Sequence, residues 1–305
     1  MNLQQIVADI AGHINNRAEQ IEGGADANNP DGVPDDFGIS ITTVDGETFS
    51  AGSEDRFPMQ SISKVFALDL ALEAFGQGVF DRFGREPSGD PYDSMIDLER
   101  TRGVPRNPFI NAGALVAVDM LVESHGAAAY DTVIDLIRKE AGGHVPLNDE
   151  VLNQPGDLNR AMIEFMRYHD NIRCPTEDIK QAYARQCAIA LNVKELACAG
   201  RYLVSTRLMS DGPVANRRAR QTRTVLALMT TCGHYDASGD FATRVGLPAK
   251  SGVGGGILAI VPQSAAVAVW SPNLDQHGNS ILGVRGLEML VERTGWSLFG
   301  PPLVS

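Results

Sequence analysis

Positive charge, cysteine and long apolar runs are all scarce in this chain, and each scarcity removes a class of function. Lysine and arginine number 26 against 38 aspartates and glutamates, a formal charge of −12. Nucleic acids and anionic membranes require local positive potential, so neither is expected as a partner. The one basic cluster, Arg217, Arg218, Arg220 and Arg223, reads first as a solvated helix face, with a subunit contact or an anion site as alternatives. Cys174, Cys187, Cys198 and Cys232 stand without CxxC or Cys/His spacing, which excludes a disulfide scaffold and gives no sign of a metal site. A reducing cytoplasm is the expected location. No stretch approaches the roughly 18 apolar residues that span a bilayer. Gln4, Gln5, Asp9 and Asn15 interrupt the N-terminal apolar residues, so no export signal is expected either.

What remains is an ordinary globular composition, 43% hydrophobic and 21% charged with 31 Gly and 16 Pro. The 305 residues allow two units or one large domain. Leu3, Ile6, Val7, Ile10 and Ile14 recur at helical spacing and mark an amphipathic first helix. A turn-rich stretch over 22–36 follows. Phe37, Ile39 and Ile41 then alternate, and Asp45-Gly46 joins them to a second short strand over about 47–51. From Ser61 to about Cys232 the pattern is mostly helical: Val65, Leu68, Leu72 and Phe75 share a face. Further helices are predicted near 110–124, 131–140, 157–167, 176–190, 193–206 and 216–231. Strand signals return over 247–253, 256–261 and 265–270, before a last helix near 280–293.

Two early strands and three late ones predict an α+β fold with one antiparallel five-stranded sheet, built from both ends of the chain and flanked by helices. The first and last helices are expected on one sheet face and the helix from Ser61 on the other. The organisation is that of a single domain over 1–305, with a sheet subdomain over about 1–60 and 235–305 and a large helical insertion over about 61–234.

Two segments carry chemistry. Gln60-Ser61-Ile62-Ser63-Lys64 opens the helical region with Ser61 and Lys64 at i and i+3 on one face. A serine hydroxyl needs a base, and a lysine amine serves when burial or nearby positive charge lowers its pKa. A helix start also favours developing negative charge. Far downstream, Lys250-Ser251-Gly252 runs along a predicted strand into Gly254, Gly255 and Gly256, where glycine permits close approach of a ligand to the backbone. An S-x-x-K helix start facing a K-[ST]-G strand is the arrangement of the penicillin-recognising serine hydrolases. The glycines lack the order of a phosphate-binding loop.

Segments 57–65 (FPMQSISKV), 103–114 (GVPRNPFINAGA), 244–256 (RVGLPAKSGVGGG) and 266–279 (AVAVWSPNLDQHGN) carry a closer resemblance, spread over about residues 37–290. The chain resembles the bacterial serine-dependent glutaminases, amidohydrolases with a β-lactamase/transpeptidase-like core. The resemblance implies that Ser61 is the nucleophile and Lys64 its base. It implies substrate-binding positions at Asn111 and Asn159, active-site phenols at Tyr183 and Tyr235, and an oxyanion hole formed by the backbone N–H groups of Ser61 and Val253. It implies L-glutamine as substrate, no metal or organic cofactor, and a homodimer or homotetramer.

Two positions depart from the family. A Tyr-Ile-Pro segment is usual shortly before the first strand, and its tyrosine enters the active site; here that stretch reads Ala25-Asp26-Ala27-Asn28-Asn29-Pro30, and the first tyrosine of the chain is Tyr92. A glutamate that helps hold the substrate's α-amino group is usual seven residues before the asparagine matched by Asn159; here Leu152 stands there. Glu150, or Asp31, Asp35 and Asp36, are the candidate substitutes. The expected reaction is therefore hydrolysis of L-glutamine through a Ser61 ester. The rival readings are an amidase or esterase on a different glutamine-like substrate, a penicillin-binding or β-lactamase activity, and a catalytically silent binding or assembly member.

Overall fold

The structure is a computed structural model that describes residues 1–23, 36–204 and 212–300. Its strands are β1 (Gly38–Thr43), β2 (Thr48–Gly52), β3 (Phe57–Pro58), β4 (Ala190–Leu191), β5 (Ala249–Ser251), β6 (Gly256–Val261) and β7 (Ala265–Trp270). Five of them form an antiparallel sheet in the order β2-β1-β7-β6-β5, so the two ends of the chain meet where Ile41 faces Val267. The helices are α1 (Leu3–Asn15), α2 (Ala18–Glu22), α3 (Ser63–Phe75), α4 (Ile96–Arg100), α5 (Asn111–His125), α6 (Ala129–Ala141) and α7 (Asp149–Leu152). They continue with α8 (Asp157–Tyr168), α9 (Thr176–Ala188), α10 (Val193–Gly200), α11 (Pro213–Cys232), α12 (Ser238–Arg244) and α13 (Ile281–Thr294).

Alternation along each strand sorts the sheet into two faces. Ile39, Ile41, Ile257, Ala259, Val267 and Val269 pack on one side against Val7, Ile10 and Ile14 of α1 and Leu282, Leu287 and Leu290 of α13. Leu258, Ile260, Ala266, Ala268 and Trp270 point the other way, into a second and larger core shared with the helical region. Because β6 and β7 are buried on both faces, they read as continuous apolar runs.

The first and last helices do share a sheet face, but the opposite face is covered by α10, not by the helix that follows Ser61. The reason lies in side-chain size. A methyl group at Gly200 of α10 would sit 2.6 Å from Leu258 Cδ1, so this helix lies against the sheet at a distance only glycine allows. An Asn192–Glu195 capping box fixes where it starts. Helix α3 instead buries residues around its whole circumference, including Ser63, Lys64 and Asp69, and sits among α5, α6 and α11. Helix and strand boundaries otherwise fall close to the sequence pattern. The region predicted as a helix over 193–206 ends as α10 and a 3-10 turn over Arg201–Leu203, with residues 205 and 206 outside the described residues.

The arginine cluster lies on α11. Arg217, Arg220 and Arg223 are exposed, as a solvated face requires. Arg218 is not: its Nη1 donates to both oxygens of Asp69 on α3, at 3.0 and 2.8 Å, while Gln221 Nε2 donates to Asp69 Oδ1 at 2.9 Å. Burial pushes the Asp69 carboxyl above the usual carboxylate range despite this partner. The residue ties α11 to α3.

Candidate active site

Ser61 lies in a single 3-10 turn, Gln60–Ile62, that runs directly into α3. Gln60 before it has φ 47°, a left-handed conformation unfavourable for a residue with a side chain. Packing holds that turn in place. Phe57 in β3 stacks on Trp270 of β7, with ring centroids 5.6 Å apart, and Trp270 Nε1 donates to Gly254 O at 2.9 Å. The glycine-rich run after β5 presses against the same segment: a methyl group would lie 2.6 Å from Met59 O at Gly252 and 2.2 Å from Pro58 O at Gly254. These glycines therefore admit the serine-bearing backbone. The two-residue pair β3–β4, with Phe57 opposite Leu191, completes the clamp.

A cavity of about 470 Å³ opens beside this turn and brings distant segments together. Ser61, Asn111, Asn159, Tyr183 and Val253 all line it. Lys64 lies behind the wall, 1% exposed, with Nζ donating to Asn111 Oδ1 at 2.7 Å and Phe109 O at 3.2 Å. Tyr235 stands outside this lining; its hydroxyl donates to Ser251 O at 3.5 Å and interacts with the Ser61 side chain. It too has a left-handed backbone, φ 56°. Tyr183 donates to Asn111 Oδ1 at 3.4 Å, so one asparagine oxygen gathers both Lys64 and Tyr183.

The two asparagines are not helix caps. Asn111 is the first residue of α5, whose entry is held by Asn107: its Oδ1 accepts from Phe109 N at 2.9 Å and Ile110 N at 3.2 Å. Asn159 follows a Gly156 cap in α8. The Asn159 amide is thereby left to the cavity, while Asn111 gives its Oδ1 to Lys64 and Tyr183. The Val253 backbone N–H has no acceptor among the described residues and stands on the cavity wall.

Burial sets the electrostatics. It pushes the Lys64 amine down to about 8, against smaller upward pulls from Cys187 and Asp93. Lys250, fully buried, is driven well below its ordinary value by burial and then by the Lys64 charge; its Nζ donates to Ser251 O at 2.6 Å and rests 4.2 Å from the Tyr235 ring centroid. Burial raises the phenols of Tyr183 and Tyr235, so both are neutral proton carriers near neutral pH.

Several lining residues were not singled out from the sequence: Tyr92, Asp93, Lys180 and Cys187. Nothing in the local pattern of 92–93 distinguishes it from a surface turn. Of the proposed substitutes for a carboxylate, Glu150 is exposed on α7 and outside the lining, and Leu152 is outside it as well. Asp36 also does not line the cavity, while the stretch 25–30, with Asp31 and Asp35, lies outside the described residues. A larger cavity of about 580 Å³ between α3, α6 and α11 does not touch Ser61; Lys139, Arg201, Arg217 and Arg218 line it together with Asp69, Glu73 and Glu140, which offset most of the positive charge. Among the described residues no group of His, Cys, Asp and Glu could hold a metal, all four cysteines are free, and no helix is long and apolar enough to cross a membrane.

Comparison with known proteins identifies the family and the fold. The glutaminase family model matches residues 31–299. A glutaminase of Azorhizobium caulinodans is 46% identical over 313 aligned positions, covering 97% of this chain and 98% of the relative. The thermolabile glutaminase of Rhizobium etli is also 46% identical, covering 88% of each. Among solved structures, the probable glutaminase ybaS superposes with a TM-score of 0.83 at 35% identity, covering 96% of this chain and 99% of that one. A Bacillus subtilis probable glutaminase superposes with 0.82 at 29% identity, covering 98% of each. A single α+β scaffold, a buried serine–lysine turn clamped by a glycine-rich strand end, and relatives matched over nearly their full length leave one conclusion: the chain belongs to the glutaminase family.

Proposed function

We propose that this chain hydrolyses L-glutamine to L-glutamate and ammonia through an ester on Ser61. The observation that carries the reading is the convergence of Ser61, Asn111, Asn159, Tyr183 and Val253 on one cavity with Lys64 buried behind it. Ser61 Oγ attacks the side-chain amide carbon as its proton passes to neutral Lys64, with the Tyr235 hydroxyl, which interacts with the Ser61 side chain, as the relay. The carbonyl oxygen takes up the electron pair and is held by the backbone N–H groups of Ser61 and Val253. Collapse breaks the C–N bond, the nitrogen leaves as ammonia after taking the proton from Lys64, Tyr183 or Tyr235, and a glutamyl ester remains. Water attacks the ester by the same path, giving up a proton to Lys64 and releasing glutamate and free Ser61. Asn111, Asn159 and Tyr183 supply donors for the substrate's α-carboxylate. These steps use no metal or organic cofactor.

The protein acts, on this reading, in the cytoplasm as a homodimer or homotetramer, which sedimentation of the purified chain tests directly. The two cores that share the sheet support treating 1–60 and 235–305 as a sheet subdomain and 61–234 as a helical insertion of one domain. The decisive assay measures ammonia release from L-glutamine, D-glutamine, L-asparagine and γ-glutamyl amides. Wild-type activity greatest on L-glutamine and lost in Ser61→Ala is expected. Undiminished release by Ser61→Ala would remove the mechanism, and no release from any substrate would favour a silent family member.

A further inference from the structure

We infer that Asp93 is the anchor for the substrate's α-ammonium group, and that Tyr92 positions it; this rests on the glutamine-hydrolysing reading above. An amino-acid substrate carries a fixed positive charge into the cavity, and burying that charge without a carboxylate partner is costly. The carboxylates on the described lining are Asp93 and Asp157. Asp157 is exposed in the first turn of α8, where the helix N-terminus already stabilises it. Asp93 is half-buried and makes no hydrogen bond or ion pair among the described residues. Its charge acts on both Lys64 and Tyr92, and it lines the same cavity as Ser61 and Asn111.

The segment carrying Asp93 is held at several points. Asn171 Nδ2 donates to Arg82 O and Gly103 O, at 2.8 Å each, and so ties its two ends together. Ser88 Oγ donates to Asp97 Oδ2 at 2.7 Å within it. Asn111 N donates to Tyr92 O at 2.9 Å, which registers this segment against the start of α5. The Tyr92 ring lies against Tyr235, with centroids 4.7 Å apart. Asp93 is thus an uncommitted carboxylate on a fixed backbone, beside a phenol that itself touches the Ser61 partner. No signal within residues 1–60 or near Asn159 could have pointed to it, because the charge enters from a different loop.

Two substrates separate this role from a general one: L-glutamine, and glutaric acid monoamide, which keeps the reacting amide and the carboxylate but lacks the ammonium. Asp93→Asn preserves shape and removes charge. It is expected to lower kcat/KM for L-glutamine by about ten- to a hundredfold, chiefly through KM, the range of one charged hydrogen bond. The monoamide should change by less than about threefold, and Asp157→Asn should leave the ratio between the two substrates unchanged. Calorimetric binding of L-glutamate against glutarate repeats the comparison without turnover. Wild type should prefer L-glutamate and Asp93→Asn should lose that preference. Equal losses on both substrates, or a retained preference in Asp93→Asn, overturns the assignment even if glutamine hydrolysis stands; wild type inactive on L-glutamine yet preferring L-glutamate removes the earlier reading and leaves this one.

Discussion

Lys64 should make the protein less stable than a variant without it, by an amount that depends on pH in a calculable way. Its amine is fully buried, and burial lowers its pKa from 10.5 to about 8. The folded state therefore gives up a proton more readily than the unfolded chain, and the cost of burying the charge is complete below the folded value and relieved as pH rises towards the unfolded one. The difference of roughly 2.5 units corresponds to about 3 kcal/mol near pH 7, falling to roughly 1.5 kcal/mol near pH 9.5. Lys64→Met keeps the volume and removes the titration. Some of the gain is offset, because Asn111 Oδ1 and Phe109 O lose a donor, at a cost of about 1–3 kcal/mol together. That offset is the same at both pH values and drops out of a double difference. Urea unfolding of wild type and Lys64→Met at the two pH values should show the stability gap shift by about 1.5–2 kcal/mol against wild type at the lower pH, with m unchanged. A gap constant to within about 0.5 kcal/mol would refute the reasoning, since it would mean that the amine holds its ordinary pKa in the fold.

The same amine should shape the rate. With a pKa near 8, kcat/KM for ammonia release should rise about fivefold between pH 7 and pH 8 and then level; a profile flat across that interval contradicts Lys64 as base. Because the Asp93 charge holds the Lys64 amine up, Asp93→Asn should displace this acid limb to lower pH, measured on the same substrate. Tyr235→Phe should lower kcat by about a hundredfold or more with little change in KM, as loss of a proton relay demands, and an unaltered kcat would remove the phenol from the path. Gly254→Ala, whose methyl group would meet Pro58 O at 2.2 Å, should cost about 2–4 kcal/mol in urea melts and depress activity in the folded fraction, because the backbone it displaces carries Ser61.

Periodicity made the outline of the fold legible. β6 and β7 coincide with their apolar runs, and α1 follows its i, i+3, i+4 stripe. It could not say which helix covers the second sheet face. Helix α3 carries the stronger apolar signal, whereas α10 wins the position through small residues such as Gly200, and closeness of approach has no periodic signature. Strands β3 and β4 are two residues each, too short for any alternation. The serine–lysine pair and the glycine run were readable as motifs, but the contact of Gly252 and Gly254 with the 57–62 backbone was not, because that segment lies far away in sequence. Asp93 was invisible for a similar reason: a lone aspartate in a turn acquires meaning only from the cavity it enters.

The meeting of β1 with β7 has a consequence for how the protein is made. Ile41 finds Val267 only after most of the chain has left the ribosome, and until then one edge of the β1–β2 hairpin stands unpaired. Pairings so distant in sequence form slowly, after the local helical contacts between α3 and α5. The glycine-rich segment that clamps the Ser61 turn follows β5 and so arrives in the same late step. A nascent or C-terminally truncated chain would thus hold a largely formed helical layer while lacking an ordered nucleophile, and hydrolytic competence would be acquired at the close of synthesis, together with the centre of the sheet.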